Sequence, residues 1–257
     1  MLEINHLKKV YNPGTVRELC LFEDFSMKVP EGQFVSIIGS NGSGKTSLLN
    51  LICGSITPDK GQILIDGKDI TRMPEFRRLK RIGRIHQNPA VGTCANMSIL
   101  ENLSLASHKD QKMNLLPGVD RKEKERFQEM LRPLGLGLEN MLEAKCGTLS
   151  GGQRQALAMV MSVMTPIDFL ILDEHTAALD PKTSDLIMHL TQEVVAEKKL
   201  TALMVTHNLR YAIEYGDRLV MMHQGGIVLD KAGEEKQKTK LEDVLDLFTQ
   251  ISIELGN

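Results

Sequence analysis

Gly39-Ser40-Asn41-Gly42-Ser43-Gly44-Lys45-Thr46 is the stretch on which the reading of this 257-residue chain turns. It follows an apolar, β-branched run, Phe34-Val35-Ser36-Ile37-Ile38, and leads into Ser47-Leu48-Leu49-Asn50-Leu51-Ile52, which continues as a helix. The motif therefore falls at a strand-to-helix turn, the context that a phosphate-binding P-loop requires. Its glycines let the backbone turn tightly and bring several N–H groups near an anion, while the first turn of the following helix adds unpaired donors and the positive end of its dipole. In such a loop Lys45 reaches the β and γ phosphates of a nucleoside triphosphate, and the Thr46 hydroxyl ligates magnesium.

Composition sets the surroundings of that loop. With 42% hydrophobic residues the chain can bury a real core without staples, as one large α/β domain or as a core with a modest insert. A net charge of −2 gives no reason to expect nucleic acid or an anionic membrane surface as the main partner. Cys20, Cys53, Cys94 and Cys146 are widely spaced with no CxxC pair, which suggests neither zinc nor a disulfide framework and makes reduced, cytosolic thiols the expectation. No apolar run approaches the roughly 20 residues that span a bilayer. The start, Met1 to His6, lacks signal-peptide character. A role at a membrane is expected to be that of a peripheral subunit.

Upstream of the loop, Leu2, Ile4 and Leu7, then Leu19, Leu21, Phe25, Met27 and Val29, alternate as strands broken at Asn12-Pro13-Gly14 and Pro30-Glu31-Gly32. Tyr11, beside the first break, reads either as an ordinary loop residue or as an aromatic face for adenine. Downstream, Gln62-Ile63-Leu64-Ile65 followed by Asp66-Gly67 predicts a strand entering a tight hairpin turn. The basic stretch Arg72, Arg77, Arg78, Lys80, Arg81 and Arg84 reads as a solvated helix face rather than a phosphate site. Ile82 to His86 is a strand ending at Gln87, a residue that means nothing on its own. Helical spacing marks Ser98 to Ala106 and Arg121 to Leu131, with a polar, turn-rich segment from Ser107 to Val119 between them, so the stretch from about residue 90 to 147 looks like a helical insert in the α/β core.

The insert closes on Leu149-Ser150-Gly151-Gly152-Gln153, which heads a helix with Leu157, Val160, Met161 and Met164 as its apolar face. Ser150 is a good N-cap, and the two glycines leave N–H groups accessible at a positive helix end: an ordinary capped helix or a second phosphate-binding terminus. About 20 residues on, Phe169-Leu170-Ile171-Leu172-Asp173-Glu174 reads as a buried parallel strand ending in two carboxylates. Ligands in such sheets bind outside the carboxyl ends of the strands, which presents Asp173 and Glu174 to the P-loop.

In this order and spacing, Gly39 to Thr46, Gln87, Leu149 to Gln153, Phe169 to Glu174, Ala178-Leu179-Asp180 and Val205-Thr206-His207 resemble the nucleotide-binding subunit of ABC transporters, over nearly the whole chain. The Leu-Ser-Gly-Gly-Gln element separates that family from other P-loop proteins. The resemblance implies a P-loop NTPase of the ABC-ATPase fold, with a RecA-like core, an N-terminal antiparallel β subdomain (residues 1–35 and 60–70) and a helical signature subdomain inserted in the core (residues 88–164). Residues 1–230 would form one nucleotide-binding domain and 231–257 a helical tail. It further implies that Gly39, Ser40, Asn41, Gly42, Ser43, Gly44, Lys45 and Thr46 bind ATP and that Tyr11 stacks on adenine. Asp173 is a magnesium partner through water, Gln87 touches magnesium and the lytic water, Glu174 polarises the attacking water and His207 contacts the γ-phosphate. Ser150, Gly151, Gly152 and Gln153 contact the ATP of a second, head-to-tail subunit, with Asp180 near the interface. His175 stands where many members have proline, and reads as a family variant or as an extra proton-transfer group.

What the resemblance implies about function is ATP hydrolysis, with Mg2+, driving translocation through a separate integral membrane permease, the chain lying on the cytoplasmic face of the membrane as a homodimer. It is most similar to stand-alone ATPases of bacterial importers that work with extracellular binding proteins for amino acids, aromatic ones among them. A soluble ABC ATPase acting on ribosomes or DNA is the alternative, but such proteins usually carry two cassettes or a long coiled coil, and only about a hundred ordinary residues separate the P-loop from Leu149 here. A P-loop kinase or GTPase is argued against by Leu149 to Gln153. The tail, with Leu241, Val244, Leu245, Phe248 and Ile251 at helical spacing, is expected to close the core rather than to extend a dimer contact, and no appended regulatory domain is expected after it.

Overall fold

The computed structural model describes residues 1–109, 118–119 and 121–254, so most of the turn-rich segment expected from Ser107 to Val119 lies outside the described residues. Along the chain run β1 (Leu2–Tyr11), β2 (Leu19–Val29), β3 (Phe34–Gly39), α1 (Lys45–Cys53), β4 (Lys60–Ile65), β5 (Lys68–Asp69), α2 (Glu75–Arg78), β6 (Ile82–Ile85), α3 (Ile99–Ser107), α4 (Lys124–Leu131), α5 (Gly151–Val163), β7 (Phe169–Asp173), α6 (Pro181–Glu197), β8 (Thr201–Val205), α7 (Leu209–Glu214), β9 (Arg218–His223), β10 (Gly226–Ala232), α8 (Glu234–Gln237) and α9 (Leu241–Glu254). They gather into two compact units, Met1–Leu79 with Lys198–Asn257, and Lys80–Glu197.

In the first unit β2-β1-β4-β5 form an antiparallel sheet. Alternation, reset by register shifts on either side of Leu7, puts Leu2, Ile4 and Leu7 of β1 and Phe22, Phe25, Met27 and Val29 of β2 inside, with Ile63 and Ile65 of β4. The β4–β5 turn is made by Asp66 and Gly67, both at positive φ (51° and 74°), the conformation a two-residue hairpin demands. A second set of strands places β3 between β8 and β9, parallel to both, with β10 antiparallel on β9. Every residue of β3 and β8 is buried, which is why these segments read as continuous apolar runs rather than alternating ones. The tail closes this core: Val244 of α9 joins Ile38, Ala212, Leu219 and Met221, with Leu247 and Phe248 packed alongside.

Two basic residues depart from the solvated-face expectation. Arg78 is 2% exposed, and its guanidinium donates to the Leu51 (2.7 Å) and Ile52 (3.0 Å) carbonyls at the end of α1 and to those of Met73 (2.8 Å) and Thr71 (2.9 Å). A charge that makes so many bonds can be buried, because four carbonyls replace its water and two of them are C-terminal carbonyls of a helix that has no later N–H to serve them. Arg84 is the other exception and belongs to the second unit.

There β6 pairs in parallel with β7, and α5 packs against α3, α4 and α6. Ser98 caps α3 with a reciprocal box: its hydroxyl accepts from the Glu101 N–H and the Glu101 carboxylate accepts from the Ser98 N–H. Asn102, wholly buried, donates to the carbonyls of Cys94 (3.1 Å) and Ser98 (2.9 Å) and accepts from the Cys94 N–H, tying the loop before α3 to the helix. Phe127, Leu131, Leu103 and Leu157 fill the interior of this unit.

Candidate functional site

The P-loop lies between β3 and α1, as the sequence pattern requires. Gly42 (φ 80°) and Gly44 (φ 102°) occupy the left-handed region, and a Cβ on Gly44 would lie 2.8 Å from the Phe22 ring. Gly39 ends β3 at φ 154°, and a Cβ there would lie 2.2 Å from the Met222 carbonyl oxygen. Asn41, Gly42 and Thr46 are exposed, whereas Ser43, Gly44 and Lys45 are buried and Ser40 is half-buried. Gly44 is the N-cap of α1, and no side chain caps the N–H groups at that helix start. Lys45, only 5% exposed, folds its ammonium onto the Gly39 (2.8 Å) and Ser40 (3.0 Å) carbonyls, holding a cation at the mouth of the loop.

Two other expected residues belong to this unit. The Tyr11 hydroxyl, at the end of β1, bonds the Ser47 hydroxyl of α1 (3.0 Å), and the Lys9 ammonium stands 5.6 Å from its ring centroid. His207 follows β8 and is exposed; with Thr206 and the Gly39–Asn41 segment it lines a cavity of about 350 Å3 whose apolar wall is Leu209, Leu245 and Phe248. The structure thus brings His207 together with the start of the P-loop.

The remaining expected residues belong to the second unit. Gln87 is exposed just past β6. Asp173 ends β7 and pairs with Arg84 of β6 (3.2 Å), both largely buried, so this cation is committed to a carboxylate rather than to solvent. Glu174 follows at φ 48°, a left-handed conformation that a non-glycine residue adopts only under local constraint, here the turn closed by the Ala177 N–H on the Glu174 carbonyl (2.9 Å). His175 is 2% exposed and shares a hydrogen bond with the buried Thr191 hydroxyl of α6 (3.2 Å). Burial alone lowers its pKa to about 4. A ring so enclosed and uncharged is a packed residue, and the proton-transfer alternative loses its support.

Ser150 caps α5 in a full capping box: its hydroxyl accepts from the Gln153 N–H (3.2 Å) and the Gln153 amide oxygen accepts from the Ser150 N–H (3.1 Å). The Gln153 amide nitrogen also donates to the Leu136 carbonyl (3.1 Å), so Gln153 organises the helix start from within its own chain. Ser150 and Gly151 remain exposed. Asp180 accepts from the Thr183 N–H (3.1 Å), and the hydrogen bonds from Thr183 hold its carboxyl below the usual carboxylate range. A Cβ on Gly151 would lie 3.3 Å from Leu179 and one on Gly152 2.2 Å from Thr183, so the structure brings Ser150–Gln153 and Leu179–Thr183 together.

Sequence reasoning missed Arg78, which secures the far end of the P-loop helix, and Arg84, the partner of Asp173. Nothing in a run of six basic residues distinguishes these two; only the strand pairing of β6 with β7 and the position of α2 do. As for a metal, Thr46, Gln87 and Asp173 offer hydroxyl, amide and carboxylate oxygens, the hard donors that magnesium takes. Among the described residues no group of three or more His, Cys, Asp and Glu is placed to hold a metal.

The family model described as "ABC transporter" matches residues 22–177. Over 248 residues, 96% of this chain and 98% of the relative, the sequence is 44% identical to the "Tyrosine transport ATP-binding protein" of Clostridioides difficile. It is 32% identical over 248 residues, 96% of this chain, to the "Spermidine/putrescine import ATP-binding protein PotA" of Haemophilus influenzae, of whose length it spans 61%. Among solved structures, the "Dimeric structure of a post-hydrolysis state of the ATP-binding cassette MJ0796 bound to ADP and Pi" is similar with a TM-score of 0.76 at 26% identity, over 90% of this chain and 98% of that one.

Proposed function

The chain belongs to the ABC transporter family, and from that premise we propose that it is the ATPase subunit of an importer for an aromatic amino acid, tyrosine first among them, acting on a separate permease at the membrane. ATP hydrolysis that drives import through a membrane permease is what the family and its import subunits do; the cargo, the identity of the permease, an extracellular binding protein and the position on the cytoplasmic face are proposed. The near full-length likeness to a tyrosine transport subunit supports the cargo. Among the described residues no helix is long and apolar enough to cross a membrane.

The roles follow from the residues. The loop N–H groups and Lys45 receive the triphosphate, and Tyr11 offers its ring to adenine. Thr46, Gln87 and, through water, Asp173 are the residues that would hold Mg2+, which when bound neutralises charge on the β and γ phosphate oxygens. Glu174 orients and deprotonates the water that attacks the γ-phosphorus in line, and His207 contacts the γ-phosphate oxygens. Ser150, Gly151, Gly152 and Gln153 of a second copy, with Asp180 beside them, complete the site. The observation that carries this assignment is the placement of exposed His207 on the same cavity as Gly39, Ser40 and Asn41, next to the buried ammonium of Lys45.

Glu174→Gln tests both the chemistry and the cargo. The purified variant is expected to bind ATP as the wild type does while turnover falls by about 10²- to 10⁴-fold, the worth of a general base. Cells carrying only this variant are expected to lose uptake of labelled tyrosine. Wild-type turnover would overturn the role of Glu174; lost turnover with unchanged tyrosine uptake would overturn the cargo.

A further inference from the structure

The end of β9 and the turn that follows it meet the P-loop at three points, through residues that have been given no role above. Met222 pairs with Gly39, its carbonyl oxygen occupying the space that any Cβ on Gly39 would need. The next residue, His223, places its Nδ1 3.3 Å from the Ser40 hydroxyl. Two residues on, the Gly225 N–H donates to the Ser43 carbonyl (3.1 Å). Gly225 reaches that carbonyl only because it lacks a side chain: it sits at φ 75°, and a Cβ would lie 1.6 Å from the Leu21 carbonyl oxygen. The first, second and fifth residues of the loop are therefore all touched by one hairpin turn.

His223 is an expensive choice for that place. Its other ring nitrogen, Nε2, is buried and has no hydrogen-bond partner among the described residues. Leaving a polar atom so is unfavourable, and an apolar side chain would fill the space without that penalty. What the imidazole supplies, and an apolar side chain would not, is the contact of Nδ1 with Ser40. We propose that His223 is a positioning residue for the P-loop, which together with the Gly225 N–H holds the Ser40–Ser43 backbone in the shape that receives the triphosphate. The proposal rests on the assignment of Gly39–Thr46 to phosphate binding. It predicts a brace that acts on nucleotide binding, because His223 does not itself meet the reacting atoms.

The test uses the full-length chain as wild type, His223→Ala, His223→Asn, Ser40→Ala and the double variant His223→Ala/Ser40→Ala, with KM and kcat for MgATP and the equilibrium affinity for ATP. His223→Ala is expected to raise KM and weaken ATP binding by about three- to ten-fold, the worth of one hydrogen bond, with kcat within about two-fold of wild type. Asparagine carries a polar atom where Nδ1 stands, so His223→Asn is expected to restore most of the affinity. Ser40→Ala is expected to add little in the His223→Ala background, since either change removes the same contact. Wild-type KM in His223→Ala, equal loss in the alanine and asparagine variants, or additive effects in the double variant would each overturn the brace. Should His223→Ala fail to fold, Ser40→Ala carries the decision alone: an unchanged affinity for ATP overturns it. A wild-type chain that shows no saturable ATP binding would instead remove the phosphate-binding assignment itself.

Discussion

His175 shows how a single residue can look catalytic and act on stability. It sits directly after the two carboxylates of β7, yet its side chain turns inward to Thr191 and its pKa falls from 6.5 to about 4 because burial opposes the charged ring. The unfolded chain therefore binds a proton below about pH 6.5 that the folded chain refuses until about pH 4. Stability is fully present above the unfolded value and declines as pH falls through the window between the two. Between pH 7.5 and pH 5 the loss from this one ring is about 2 kcal/mol. His175→Gln is expected to be less sensitive to acid by that amount, measured as the difference in urea unfolding free energy at the two pH values; the same pH dependence in both proteins would show that His175 does not titrate on unfolding. Single positions were unevenly legible. Lys45 and Thr46 could be placed because glycines at fixed offsets define a backbone shape before any contact is known. Arg78 and Arg84 could not, because whether an arginine faces water or four carbonyls depends on which helix end or strand lies opposite.

At the scale of elements, the start of α5 is held by α6 as much as by its own cap. A Cβ on Gly152 would lie 2.2 Å from Thr183 Cγ2, while the Thr183 Cβ and hydroxyl stand off at 3.5 and 3.7 Å. Thr183 cannot swing aside freely: it is β-branched, and its N–H is held by Asp180. Gly152→Ala is therefore expected to destabilise the protein by about 1–3 kcal/mol through overpacking, and Thr183→Ser, which deletes only the offending methyl, is expected to restore most of that loss. Urea midpoints of the two single variants and the double decide it; additive destabilisation would mean that the helices do not meet at this glycine. From the sequence these glycines could be read as a means of leaving helix N–H groups accessible, and the close approach of α6 could not be read at all. Elements defined by local chemistry were legible in the same way: the β4–β5 turn at Asp66-Gly67, the strand β3 before the P-loop, and the capping serine of α5 are all written in a few adjacent residues. The pairing of β3 with both β8 and β9 joins segments more than 150 residues apart, and no periodicity announces such a partner.

At the scale of the whole molecule, the chain offers two helix starts suited to anions. That of α1 is wrapped in its own loop, with the Lys45 ammonium folded over it. That of α5 presents exposed Ser150 and Gly151, and Arg154, the cation of its first turn, donates to the Thr93 hydroxyl and carbonyl instead of folding over the helix start as Lys45 does. If the second start completes the first in a head-to-tail pair, as the dimeric cassette it resembles would allow, two identical chains form two equivalent sites related by a two-fold axis. Turnover per chain should then rise with protein concentration and vanish in Ser150→Arg, whose long cation blocks the α5 terminus. The stronger consequence is complementation. A Glu174→Gln chain keeps an intact α5 start, and a Ser150→Arg chain keeps an intact Glu174, so each lacks what the other has. Mixed in equal amounts before nucleotide is added, half of the pairs are hybrids with one whole site of two, and about a quarter of wild-type turnover should return. Recovery at that level would require residues from two chains in one site, which no single chain with either defect can supply. An inactive mixture, at concentrations where the wild type turns over, would mean that each chain completes its own site and that Ser150 serves only as the cap of α5.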